Sequence, residues 1–218
     1  MSIVTLNNRA LKDATAVGTT TGLGNLVFIS RSTASSSSSL SITSGIDSTY
    51  KEYIFILNNI HSANDDVMFQ FNGSDDTSSH SFDITKTTTF FTAEHSESGS
   101  EYFSYSTGGD LAQSTGYQRI FNGIGNVNDE SCAGILHLFD PSNTTFAKHF
   151  LGTFTGNRQP NSNGVYYLGG YINTTSAITY QVQWASEGGA TGYLNRPVTQ
   201  DSVGANVAST ITVMEVAA

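Results

Sequence analysis

Positive charge is the first thing this sequence lacks. Lys and Arg number 9 against 18 Asp and Glu, which leaves a net charge of −9, and charged residues of either sign make up only 12% of the 218-residue chain. That is about half the usual share. Affinity for phosphate backbones comes mainly from clustered Lys and Arg, and no basic stripe exists here, so a nucleic-acid partner is excluded. Glutamate, lysine and leucine, the builders of surface helices, are thin, which excludes an all-helical protein. The single cysteine, Cys132, excludes an internal disulfide, and folding in a reducing cytosol is the simpler expectation. The start, Met1–Arg9, has no cationic segment followed by a long apolar run, and the strongest apolar runs, Leu26–Ile29 and Tyr53–Leu57, are too short to span a bilayer. The expectation is a soluble chain without membrane insertion.

What is present is neutral polarity. Serine, threonine, asparagine and glycine together fill over two fifths of the chain. Residues 1–25 carry scattered apolar positions without helical periodicity and close on a Gly/Thr-rich stretch, Gly18–Gly24. They read as an extended arm, with Ile3, Val4, Leu6 and Leu11 as contacts to a neighbouring subunit; a first strand pairing within its own domain is the alternative. From Leu26 onward, short runs of period two or of continuous apolar character alternate with Gly, Asn, Asp and Ser clusters. Leu26–Ile29 reads as a strand buried on both faces. Ser38–Thr43, Tyr50–Leu57, Val67–Phe71 and the alternating Phe82 and Ile84 follow, with a turn expected at Asn72-Gly73. Thr85–Gly116 reads as a long polar and aromatic excursion. Tyr117–Ile124, Ser131–Phe139, Phe146–Phe154, Val165–Ile172, Ala177–Trp184 and Ser209–Val216 then read as further strands. The three prolines stand only where turns are expected. Many strands with no helices between them predict an all-β protein: an antiparallel β-sandwich of jelly-roll type over residues 26–218, preceded by the arm.

Chemistry is harder to find than architecture. The histidines His61, His80, His95, His137 and His149 show no HExxH, HxH or Cys/His spacing, and Cys132 sits in a strand-like context that predicts an inert buried thiol. No G-x-S-x-G elbow is present, and the acidic pairs Asp65/Asp66, Asp75/Asp76 and Asp129/Glu130 are adjacent residues in turn-like segments, unlike separated glycosidase carboxylates. Asn72–Asp76 is the best calcium candidate, but it lacks alternating acids and a closing Glu and reads as a hairpin turn with solubilising acids. The expectation is no catalytic residue, no metal and no cofactor. Exposed aromatics near Gly/Asn loops could stack on sugar rings, and Trp184, Tyr193, Tyr166 and Tyr167 are the candidates for glycan contact.

Three segments carry a resemblance: Leu6-Asn7-Asn8-Arg9-Ala10-Leu11, the Ser-rich approach to Leu40-Ser41-Ile42, and Thr49–His61 with its core Tyr53-Ile54-Phe55-Ile56-Leu57-Asn58-Asn59. Together they resemble small virion structural proteins of tailed bacteriophages, particularly those of marine bacteria. The likeness covers the N-terminal third best and continues through Gly134–Phe139 and Thr175–Thr179. Related proteins often end in a Gly-Tyr-Gly-type strand, whereas this chain ends Ser209–Val216. The resemblance implies a non-enzymatic protein on the virion surface, assembled in the host bacterial cytoplasm: a capsid decoration or head-fibre protein. Its partners would be other shell or tail subunits and further copies of itself, a trimer among them. A tail-fibre module contacting host glycans is the alternative implication, and a lectin-like or hydrolytic enzyme the third.

Overall fold

A computed structural model describes residues 16–17, 20–21, 26–33, 37–76, 80–127, 129–158, 161–174, 181–186 and 210–216. The described residues are all-β, in antiparallel ladders, with no helix. The strands are β1 (Ala16–Val17), β2 (Thr20–Thr21), β3 (Leu26–Ser32), β4 (Ser39–Ile42), β5 (Glu52–Ile60), β6 (Val67–Ser74) and β7 (Lys86–Ser96). They continue as β8 (Glu101–Tyr105), β9 (Gln118–Ile124), β10 (Cys132–Phe139), β11 (Lys148–Arg158), β12 (Ser162–Ile172), β13 (Gln181–Ser186) and β14 (Thr210–Val216).

An eight-stranded sheet runs β3-β14-β5-β10-β11-β12-β7-β8 and a four-stranded sheet runs β4-β13-β6-β9. Pairing is nested: β3 with β14, β4 with β13, β5 with β10 and β6 with β9. The outer strands of the sequence thus pair across its whole length, and the folded ribbon winds into two Greek keys. The quartets β3-β14-β5-β10 and β4-β13-β6-β9 are the two sheets of a jelly roll. Two hairpins are inserted. β7-β8 falls between β6 and β9, β11-β12 between β10 and β13, and all four inserted strands extend the first sheet. The aromatic excursion over Thr85–Gly116 therefore contains a central strand, β7, which matches β12 residue for residue from Lys86↔Ile172 to Ser96↔Ser162.

Period-two alternation decides what is inside. Tyr53, Phe55 and Leu57 of β5, Leu136 and Leu138 of β10, and Phe150 and Phe154 of β11 point inward, against Ile120, Phe121 and Ile124 of β9 and Phe69 and Phe71 of β6. Where β8 stops, the chain after it runs along the edge of β7 through Ser106 N–H to Phe90 O, Thr88 N–H to Leu111 O and paired bonds between Lys86 and Ser114, and folds over the Phe90 ring. The cover lies so close that a Cβ on Gly109 would meet the Phe90 ring at 2.4 Å. Polar groups trapped beneath it are partnered: Thr88 Oγ1 donates to Gln118 Oε1 at 2.6 Å, and Gln118 Nε2 donates to Gly109 O at 2.8 Å.

Several expectations are corrected. Asn72-Gly73 is not a turn but lies inside β6, where Gly73 pairs with Val182. The buried Asn72 amide donates to the carbonyls of Phe82 and Thr115 and accepts from Lys86 Nζ, so tertiary partners override the local turn preference. The same commitments remove Asn72 from any calcium loop. Phe82 and Ile84 belong to no strand; Phe82 sits at φ 49° in the loop before β7. Leu26 and Phe28 are not buried on both faces but are 52% and 59% exposed, because β3 is an edge strand whose inward residue is Ile29. Of the expected arm, only the two short strands β1 and β2 are described; Ile3, Val4, Leu6 and Leu11 lie outside the described residues.

Candidate functional site

The outward-facing residues of the eight-stranded sheet are those that alternate with the core. One cross-strand row runs Ile56–Ile135–Thr153–Tyr167–Phe91–Tyr105, and the row beside it runs Ile54–His137–Leu151–Gly169–Thr89. Apolar side chains of this face stand in solvent: Leu151 is 56% and Tyr167 46% exposed, and Phe103 of β8, in the next row opposite Ala93, is 75% exposed. Phe91 and Tyr105 meet edge to face, ring centroids 5.2 Å apart. Tyr105 donates to Asp110 Oδ2 at 2.6 Å, and that hydrogen bond raises its pKa above the ordinary phenol value. At the other border His137 Nδ1 lies 2.6 Å from Glu52 Oε1, and its ring stacks beside Phe139.

Within this face a groove of ≈ 470 Å³ lies over the glycines of β12, Gly169 and Gly170. Its walls are Tyr171 and His149 on one side, Leu151 and Phe139 on another, and the threonines of β7 opposite. Tyr171 and His149 have ring centroids 6.3 Å apart. Gln113, at φ 48°, braces the rim: its Nε2 donates to Thr87 Oγ1 at 2.9 Å and to the Tyr171 hydroxyl at 3.1 Å, while its Oε1 accepts from Asn173. Among the described residues no carboxylate, lysine or arginine lines the groove. A second groove, ≈ 530 Å³, lies beside β8 and carries Glu94, Glu101 and His95 with Tyr102 and Phe103, so it is acidic.

The sequence candidates are distributed unevenly over this geometry. Tyr167 stands on the outer face beside the first groove. Tyr166 does not: it is 0% exposed, its ring centroid 4.6 Å from that of Phe121, and its hydroxyl donates to Glu94 Oε1 at 2.9 Å. Burial and then the Glu94 carboxylate push its pKa well above the ordinary value. Arg158 Nη1 closes this set, 2.8 and 2.9 Å from the two Glu94 oxygens. The expectation that Tyr166 contacts glycan is therefore overturned, because neighbouring strand positions face opposite ways. Trp184 is placed by register alone, opposite Phe71 and Leu40 in the four-stranded sheet, and Tyr193 lies outside the described residues. Gly169 and Leu151 escaped sequence reading, which weighs His149 only for catalytic or metal spacing. The signal that could have found the groove is the same-face spacing Tyr167-x-Gly169-x-Tyr171.

Other ionisable groups are tied into structure. Asp76 accepts from the backbone of His80 and from both the N–H and the hydroxyl of Ser81, at 2.9 and 2.8 Å, and Glu130 accepts from Val127 N–H. Cys132 is buried, which pushes its thiol pKa far up. Among the described residues no group of three His, Cys, Asp or Glu could hold a metal ion, and no helix is long and apolar enough to cross a membrane.

No family model and no curated protein matches the chain. A solved structure of alginate lyase A1-II', a member of polysaccharide lyase family 7, aligns at 10% identity and a TM-score of 0.21, over 65% of this chain and 62% of the lyase. The alignment thus spans less than two thirds of the lyase's length, and a likeness at that score carries no argument about function.

Proposed function

We propose that this protein is a non-enzymatic structural component of a bacteriophage virion surface, a capsid decoration or head-fibre protein. In this reading residues 1–25 attach it to shell or tail subunits, copies associate with one another, and the outer face of the eight-stranded sheet is its contact surface. That face carries the reading: apolar and aromatic side chains stand exposed on neighbouring strands of a chain with only 12% charged residues, and contiguous exposed apolar surface marks interaction sites. Jelly rolls serve in viral shells and in lectins alike, so the fold does not choose between them. The resemblance of the N-terminal third to phage virion proteins favours the first. Assembly in the host cytoplasm would suit a chain that closes its ladders without disulfides.

The test is the copy number per purified phage particle, measured by quantitative mass spectrometry against the major shell protein. Copies in proportion to the shell protein support decoration. A small fixed number moves the protein to the tail or a single vertex, as a receptor-contacting module, and absence from the particle overturns the reading.

A further inference from the structure

The two glycines of β12 stand in their strand for different reasons. At Gly170 a Cβ would come within 2.7 Å of Thr87 O and of Thr88 Cγ2, so packing demands glycine there. At Gly169 a Cβ would meet nothing closer than Leu151 Cδ1 at 3.5 Å, which is ordinary contact. Among the described residues nothing requires Gly169 to be bare, and glycine inside a strand is unfavourable unless something approaches the backbone closely. The bare backbone of Gly169 is part of the floor of the ≈ 470 Å³ groove, a volume within the range of small-molecule sites.

Strand geometry then sets what fits. At about 3.4 Å per residue, Tyr167 and Tyr171 flank Gly169 at roughly 7 Å to either side along β12. A flat ring laid over Gly169 therefore has an aromatic side chain fore and aft and the Leu151 side chain beside it. The polar groups are placed for outward bonds. Tyr171 and Thr87 already accept from Gln113, so each hydroxyl keeps its own proton to donate. Thr89 donates to Gly169 O at 3.3 Å and keeps its lone pairs. The His149 ring, among the described residues, has no hydrogen-bond partner, so its two ring nitrogens face the groove unengaged.

Charge completes the selection. With no Lys, Arg or carboxylate among the described residues of the lining and a net charge of −9 on the chain, the groove offers a polyanion no counter-charge and a cation no anionic partner. A neutral pyranose combines an apolar C–H face with a rim of hydroxyl donors and acceptors, which matches aromatic walls and neutral hydroxyls. We infer that the groove over Gly169 binds a neutral oligosaccharide, one ring resting on Gly169 between Tyr167 and Tyr171. This rests on the reading of the outer face as the contact surface and names its ligand class.

The full chain is titrated with three neutral hexasaccharides, β-1,4-glucose, α-1,4-glucose and β-1,4-mannose, and with a uronic-acid hexamer, followed by saturation-transfer NMR and calorimetry. At least one neutral hexamer is expected to bind with Kd of about 1 mM or tighter, and the uronate not to bind. Gly169→Val, which fills the groove, and Tyr171→Ala are each expected to weaken binding at least about tenfold at unchanged Tm, while Tyr102→Ala in the acidic groove has no effect. Gly169→Ala replaces the valine variant if that one does not fold. Silence from all three neutral sugars, tighter uronate binding, or binding that survives both groove substitutions overturns the inference. A chain present on particles yet blind to these sugars fails the inference and leaves the structural role standing. Sugar binding by a chain absent from particles does the reverse.

Discussion

Lys86 offers a quantitative test of the buried polar network beneath the inserted strands. Its side chain is 0% exposed, and its ammonium donates to Asn72 Oδ1 and to Ile84 O, the latter at 2.8 Å. Burial lowers its pKa from 10.5 to about 7, with the Asp83 carboxylate offsetting part of the effect. Between pH 7 and 10.5 the unfolded chain therefore binds a proton that the folded chain does not, and stability rises with pH across that window. At about 1.36 kcal/mol per pH unit the full span corresponds to an upper bound of roughly 5 kcal/mol; below pH 7 both states are protonated and this contribution is flat. Above about pH 10 the trend reverses, since burial raises the pKa of Tyr53 and Tyr166 and the unfolded chain then releases protons that the folded chain keeps. Lys86→Met removes the titrating amine and leaves the buried Ile84 carbonyl without its donor, at about 1–3 kcal/mol, while Asn72 Oδ1 keeps the Gly73 N–H at 2.9 Å. The variant is expected to be about 1–3 kcal/mol less stable than wild type at pH 10 and to approach it at pH 6, where the wild type carries a buried charge. Urea unfolding from pH 6 to 10 reads both curves. Parallel curves for the two proteins would refute the reasoning.

Phe154→Ala, at a 0% exposed position of β11, is expected to cost about 3–5 kcal/mol in urea unfolding; a loss below about 1 kcal/mol would mean that the inner face of β11 is not core. Tyr166→Phe keeps the ring in place and loses one hydroxyl bond while Arg158 still holds Glu94, so about 1 kcal/mol is expected, with saccharide binding unchanged. Cys132, buried and with its thiol pKa pushed up, is expected to resist a thiol reagent in the native protein and to react on unfolding in urea; rapid native reaction would contradict its placement between the sheets.

Secondary structure was largely legible because it follows from local pattern. Tyr50–Leu57, Ser131–Phe139 and Ser209–Val216 announce β5, β10 and β14 through β-branched and aromatic residues bounded by turn formers, and the all-β sandwich follows from having such strands and no helical period. Ile3, Val4, Leu6, Leu11 and Tyr193 lie outside the described residues. The site was legible only in its chemistry, as neutral polar residues and many tyrosines. Which tyrosine faces solvent is a question of register: Tyr166 and Tyr167 are adjacent and equivalent by composition, yet pairing with Phe154 and Thr153 of β11 turns one into the core and the other out.

Composition and alternation by themselves determined the class of fold, the absence of a basic surface and the inertness expected of Cys132, since each depends on residue type and near neighbours alone. The tertiary structure decided that β3 pairs with β14 and β7 with β12, that Asn72-Gly73 runs straight through a strand, and that Gly169 is bare where Gly170 is crowded. Those outcomes depend on contacts between residues far apart in the chain, whose partners are chosen by which faces can be buried together. Local preference loses wherever a tertiary partner, such as Lys86 for Asn72, offers a stronger bond.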